Sequence, residues 1–319
     1  MWCETFNGTL PEGSAGVSTN TAASVRARLL NISRREGRDY NRLLLLFVQE
    51  RLLARLSISS HADHFVLKGG LFLYSRWGTA ARPTRDLDLL GRGFPSEIKQ
   101  VVTVLREIVS LELNDGVRFD SEQVSGARIK EGAEYEGVRV NLSASIGSAR
   151  IPVQVDVGFG DTLTPAPQTL EFPTLLEFPD LPAPRVMAYS METVLAEKFQ
   201  AMVYLGTSNS RAKDFFDVMH SSRHDSLETL GLREAIRRTF LKRETPLEDA
   251  KAFLKSDVAN HPDLRAAWQR FRANNPSLDT PADFLVVFDA IREFLEPIVD
   301  GRAVGRWSPG LRIWSEKPV

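Results

Sequence analysis

Phe65-Val66-Leu67-Lys68-Gly69-Gly70, followed after the 15 residues Leu71 to Arg85 by Asp86-Leu87-Asp88-Leu89-Leu90, is the stretch whose reading decides the fold. Three apolar residues run into two glycines, and Leu71 to Trp77 then carries a helical pattern, so the order is strand, tight turn, helix. In the second segment aspartate and leucine alternate, which puts Asp86 and Asp88 on one face of a strand and the leucines on the other. Two carboxylates side by side are hard oxygen donors of the kind Mg²⁺ takes. Asp-x-Asp alone is common on solvated strands and in calcium loops. The Gly-Gly turn changes its meaning, because bare amides at a helix N-terminus receive anions such as a triphosphate.

Outward from this stretch, Ala22 to Ile58 repeats apolar residues at helical spacing with a break near Gly37, which predicts two helices. Residues 1–21, rich in Gly, Ser, Thr and Asn, read as a poorly ordered tail. Ser96 to Leu113 reads as a helix, and strands are expected around Arg118 to Val124, Gly137 to Ala144 and Ile151 to Gly158, together a mixed sheet. Thr162 to Pro184 holds six prolines and reads as an irregular connection. From Ser190, a plausible N-cap, helices are expected over Met191 to Leu205, Arg211 to Ser221, Leu227 to Arg243, Pro246 to Asn274 and Pro281 to Val299. The expected class is α+β, with a core over 22–189 and a helical domain over 190–319 that completes the site.

Three further groups invite chemistry. The valines of Val153-Gln154-Val155-Asp156-Val157-Gly158 alternate and force Asp156 onto the polar face, where it is either a third carboxylate and general base or an ordinary strand-end residue. Lys198 interrupts an apolar stripe of Met191, Val194, Leu195, Met202 and Leu205, so its ammonium either reaches past the packing to solvent or enters a cleft beside an anion. Lys213 and Asp217 form an i, i+4 pair that could simply support a helix, with Asp214 between them. His61-x-x-His64 and His220-x-x-x-His224 have no matching ligands nearby and read as surface or capping residues. No Gly-x-Ser-x-Gly elbow or Walker loop is present.

Composition sets the frame. With 43% hydrophobic residues an ordinary core can form, and Cys3, the single cysteine, excludes an internal disulfide and cysteine-built metal sites. The longest apolar run, Leu43 to Val48, is too short to span a bilayer, so a soluble, cytoplasmic protein with no membrane partner is expected. A net charge of −1 does not announce a nucleic-acid binder, so any basic surface must be local. Between Arg26 and Arg55 stand Arg26, Arg28, Arg34, Arg35, Arg38, Arg42, Arg51 and Arg55, either a phosphate-contacting row or the wet face of amphipathic helices.

The Gly-Gly turn and Asp-x-Asp strand resemble the polymerase-β-type nucleotidyltransferase superfamily. More narrowly, Ser24 to His220 resembles the AbiEii/AbiGii family of nucleotidyltransferase toxins, which includes MenT-like toxins. The residues that carry this are Arg28-Leu29-Leu30, Glu50-Arg51-Leu52-Leu53, Phe65 to Gly70, Arg82-Pro83-Thr84-Arg85-Asp86-Leu87-Asp88, Glu192 to Lys198, and Lys213-Asp214-Phe215-Phe216-Asp217. The resemblance implies Mg²⁺, two ions or Mn²⁺ in its place, on Asp86, Asp88 and Asp156. Lys198 and Asp214 join these three as catalytic residues, and Lys68, Gly69, Gly70, Arg85, Lys198 and Lys213 bind the nucleotide. It further implies an NTP substrate, an RNA acceptor at the tRNA 3′ end, blocked translation, and a cognate AbiEi-like antitoxin. Alternative expectations are a small-molecule nucleotidyltransferase of the aminoglycoside-modifying kind, and a binding module whose Asp-x-Asp is inactive.

Overall fold

The computed structural model describes residues 14–129, 137–178, 181 and 183–316. Helices α1 (Ser14–Glu36) and α2 (Tyr40–Ile58) open it. They part at Gly37, whose φ of 65° is cheap only without a Cβ, and Asp39 caps α2 by accepting the Arg42 N–H at 2.8 Å. Helix α1 starts inside the stretch expected to be an irregular tail; residues 1–13 of that stretch lie outside the described residues.

Strand β1 (Phe65–Lys68) turns directly into α3 (Gly69–Trp77), and β2 (Asp86–Gly91) and α4 (Ile98–Val109) follow. Then come β3 (Arg118–Phe119), β4 (Ser125–Ile129), β5 (Gly137–Ile146), β6 (Ala149–Phe159), β7 (Gln168–Glu171) and β8 (Arg185–Ala188). These eight strands form one mixed sheet in the order β3-β5-β6-β2-β1-β8-β7, with β4 also on β5. Strands β2 and β6 run parallel, as do β1 and β8.

Two strand expectations are corrected. Arg118 to Val124 yields only two strand residues before a turn at Ser121–Gln123, because the Asp120 side chain takes the Glu122 and Gln123 amides. The proline-rich connection contains β7 and runs directly into β8 at Arg185, its prolines falling outside both ladders.

Alternation sorts the two faces of the sheet. Leu87, Leu89, Val153, Val155 and Val157 are buried on the side where α2 packs, with α1 and α4 beside it. Each such side chain contributes about 1.5–3 kcal/mol, and a one-residue slip would turn all five toward the wrong face. That fixes the register which places Asp88 opposite Asp156 and also opposite Lys68.

The rest of the chain is helical: α5 (Met191–Leu205), α6 (Ala212–His224), α7 (Thr229–Lys242), α8 (Leu247–Lys255), α9 (Pro262–Asn274) and α10 (Phe284–Val299). Ser190 caps α5, accepting the Thr193 N–H at 3.2 Å. The single helical stretch expected over 246–274 is two helices, since Pro262 pushes His261 to extended backbone and starts α9 anew. A closing hairpin of β9 (Arg306–Ser308) and β10 (Ile313–Ser315) has no counterpart in the sequence reading. No helix among the described residues is long and apolar enough to cross a membrane.

The arginine row is also corrected. Arg51 is buried against Glu50, and Arg55 is buried with its guanidinium 2.7 Å from Asp115 and donating to the Val117 carbonyl at 3.0 Å. Both belong to the core rather than to a phosphate-facing surface.

Candidate active site

The sheet register assembles the floor of the site, with Lys68, Asp88 and Asp156 level on three adjacent strands and Asp86 one pleat away. Gly69 has a φ of 65°, and a Cβ there would stand 1.9 Å from Asp88 Oδ2. At Gly70 it would stand 2.6 Å from Thr84 Cβ. The turn therefore lies against the carboxylate strand at a separation only glycine allows. The start of β2 is pinned by Gln49 Nε2, which donates to the Arg85 carbonyl at 2.9 Å, and by Thr84 Oγ1, which donates to the Asp86 carbonyl at 3.1 Å.

Asp86 and Asp88 are under-neutralised. Burial raises the pKa of each and Asp156 raises it further, against Lys68 and Lys213 at Asp88 and against Arg139 and Lys213 at Asp86. Among the described residues neither carboxylate accepts a hydrogen bond. Asp156 stands beside them but is engaged by Arg139 at both oxygens, at 2.9 and 2.7 Å. Among the described residues no three His, Cys, Asp or Glu side chains converge on one point as a metal cluster. The donor chemistry of Asp86 and Asp88 fits a hard divalent cation, which would relieve their mutual repulsion and that of Asp156.

A cleft of about 700 Å³ opens over this floor, walled by α5 and the start of α6. Lys198 enters it with Nζ 2.8 Å from Asp214 Oδ1 and 2.7 Å from Asp217 Oδ2. Arg82 Nε lies 3.0 Å from Asp217, and Arg211 Nε 3.0 Å from Asp214. Burial disfavours the Lys198 ammonium, but the two carboxylates outweigh it and raise the pKa. Its charge is thus compensated from within the protein. Lys213 makes no pair with Asp217; partial burial and then Arg82 lower its pKa. Lys213 and Arg85 line the cleft with no ion-pair partner among the described residues.

Sequence reasoning missed a second cluster on the cleft wall. Lys68 is bonded to Asp161, and the Tyr189 hydroxyl donates to Asp161 at 2.8 Å and meets Glu197 at 3.3 Å. Arg243 stands 3.6 Å from Glu197 and 3.8 Å from Asp161. Burial opposes the Lys68 charge, while Glu197 and Asp161 hold its pKa above the ordinary lysine range. Arg82 and Glu197 lie inside motifs that could have flagged them, whereas Asp161, Tyr189 and Arg243 come from separate segments that no local pattern joins. The histidines are elsewhere. His61 pairs with Glu107 at 2.7 Å, and His224 donates to the His220 carbonyl at 2.8 Å, a capping role. His220 is core instead, stacked on His224 and tilted against Trp77, and burial pushes it down to about 4.

No curated protein matches the chain. Among solved structures the chain is similar to two from Helicobacter pylori. One is JHP933, at 14% identity and TM-score 0.49, covering 82% of this chain and 93% of that one. The other is a presumed nucleotidyltransferase, at 16% identity and TM-score 0.48, covering 80% and 93%. A family model described as "Nucleotidyl transferase AbiEii toxin, Type IV TA system" matches residues 51–296. This match runs from within α2 almost to the end of α10, well past His220, where the sequence motifs stop. It spans the glycine turn, the carboxylate strand and the α5–α6 wall together, and the chain accordingly belongs to the AbiEii family of nucleotidyl transferase toxins of type IV toxin–antitoxin systems.

Proposed function

We propose that this nucleotidyltransferase binds an NTP with two Mg²⁺ ions, or Mn²⁺ in their place, and transfers NMP to the 3′ end of tRNA in the cytoplasm. Translation would be blocked until a cognate AbiEi-like antitoxin restrains the enzyme. Family membership implies an NTP substrate and an antitoxin partner. The observation that supports metal-assisted transfer is the under-neutralised pair Asp86 and Asp88, packed against a glycine turn that opens a helix.

In this reading Asp86 and Asp88 hold the metal, which would polarise the α-phosphate and lower the pKa of the attacking hydroxyl. Gly69 and Gly70 admit the phosphates to the N-terminus of α3. Lys213 and Arg85, which have no ion-pair partner among the described residues, neutralise phosphate charge, while Lys198 holds Asp214 and Asp217 in place and so shapes the wall. Asp156 receives the proton of the acceptor hydroxyl, with Arg139 setting the direction of its oxygens. The acceptor oxygen bonds to the α-phosphorus, the bond to the β-phosphate oxygen breaks, and pyrophosphate leaves.

The test is incubation of wild type, Asp86→Asn and Asp88→Asn with each labelled NTP, Mg²⁺ and total tRNA. Wild type should label RNA, and both variants should lose labelling at unchanged melting temperature. Full labelling by either variant would remove the site. A second reading, transfer to a small molecule, is favoured by the burial of Arg51 and Arg55, which shortens the basic row; it predicts labelled drug and unlabelled RNA.

A further inference from the structure

Tyr204 is 72% exposed and yet lines the cleft. It follows Glu197 and Ala201 on α5 at i+7 and i+3, so the three share one face of the helix and all border the same cavity. A helix rises 1.5 Å per residue, so Tyr204 stands about 10 Å beyond Glu197 along the axis. Glu197 marks the level of the Lys68 cluster beside the carboxylate floor. Tyr204 lies in the last turn of α5, which ends at Leu205 and is capped by Gly206 with a φ of 51°, and its ring stands exposed at the lip.

The cleft is therefore divided by chemistry. Its floor is charged, and its lip carries Ala201, Tyr204 and Leu205. A nucleoside triphosphate has the same division, a polyanion at one end and a flat aromatic base at the other. Small Ala201 beside the ring leaves room for a planar group, and an exposed aromatic bordering a cleft that cations also line is a stacking platform that accepts any base, because each has a π-face.

We propose that Tyr204 stacks on the base of the NTP whose phosphates lie at Gly69 and Gly70. The inference rests on the nucleotide-transfer reading and names the residue that holds the base end. Because the ring is exposed, replacing it leaves the core intact, and loss of binding can be read without loss of fold.

The experiment is calorimetric titration of the full chain with Mg²⁺ and either a non-hydrolysable NTP analogue or inorganic triphosphate, which lacks a base. Tyr204→Phe should bind the analogue as wild type does. Tyr204→Leu and Tyr204→Ala should bind it on the order of 10-fold or more weakly, the usual loss for a stacked base. All four proteins should bind triphosphate alike. In turnover, KM for NTP should rise in Tyr204→Ala while KM for RNA stays constant. Equal binding of the analogue by Tyr204→Ala and wild type overturns the inference alone, as does a loss confined to KM for RNA, which would assign the ring to the acceptor. Wild type that binds neither analogue nor triphosphate overturns the nucleotide site, and this inference with it.

Discussion

Gly69→Ala separates the geometry of the site from ordinary stability. The left-handed backbone at φ 65° costs an alanine about 1–2 kcal/mol. The new Cβ would also lie 1.9 Å from Asp88 Oδ2 and 2.8 Å from Asp88 Cβ. Rotating the Asp88 side chain relieves the first contact but not the second, since Cβ is fixed to the backbone of β2. Turn and strand must open by about 0.6 Å to restore an ordinary 3.4 Å contact. Misplacing a catalytic group by about 1 Å costs about 100-fold in rate, so a loss of 10- to 100-fold is expected. Gly37→Ala is the control, with the same φ of 65° and nothing within 4 Å of its Cβ. Both variants should melt a few degrees below wild type, and only Gly69→Ala should lose NMP transfer at saturating Mg²⁺. If Gly69→Ala works as well as Gly37→Ala, Asp88 is not held against the turn, or the turn takes no part in transfer.

Lys198→Met looks harmless in sequence, since it completes an apolar stripe. The structure predicts the reverse, because Asp214 and Asp217 lose a shared buried cation at a cost of about 3–5 kcal/mol, and an unchanged melting temperature would refute that. Glu50, buried, has its pKa pushed up from 4.5 to about 7, so the folded state retains a proton that the unfolded state releases. Stability linked to it is full below pH 4.5 and falls by about 3 kcal/mol as pH rises to about 7, and Glu50→Gln should flatten that part of the melting-temperature profile. Charge reversal at Arg34, Arg35 and Arg38 should raise KM for tRNA, steepen no salt dependence, and leave KM for NTP unchanged. The same reversal at Arg270 and Arg272 should do nothing, and equal effects at both places would mark a general charge effect.

The sheet centre was legible because its signals are local. Alternation in Asp86 to Leu90 and Val153 to Gly158, and glycines at 69 and 70, each encode backbone shape within a few residues. The edges were not. Strand β8 is four residues long and earns its place by lying parallel to β1, more than a hundred residues earlier in the chain. Strand β4 is largely exposed and carries little pattern. The arginines of α2 misled for a related reason: the acid that buries Arg55 is Asp115, sixty residues on, and nothing near Arg55 announces it. Lys198 was out of pattern for a reason the sequence could pose but not answer. Its anions lie 16 and 19 residues later on α6, and only the packing of α5 on α6 brings them together.

The closing hairpin lies beyond the last residue that the family model matches, yet it is tied into the helices. The Trp307 indole donates to the Ser222 carbonyl at 2.7 Å, the Trp307 amide to the Leu227 carbonyl at 2.9 Å, and the Thr229 amide to the Gly305 carbonyl at 2.9 Å. These bonds clasp the end of α6 and the start of α7. Removing residues from 303 onward would leave that junction with unpaired backbone groups and an empty indole pocket. The loosened helix is the one that carries Asp214 and Asp217 at its other end. For anyone trimming or tagging the protein, homology is therefore a poor guide to where it can be cut: the shortest piece that keeps the cleft wall firm is longer than the piece the family shares.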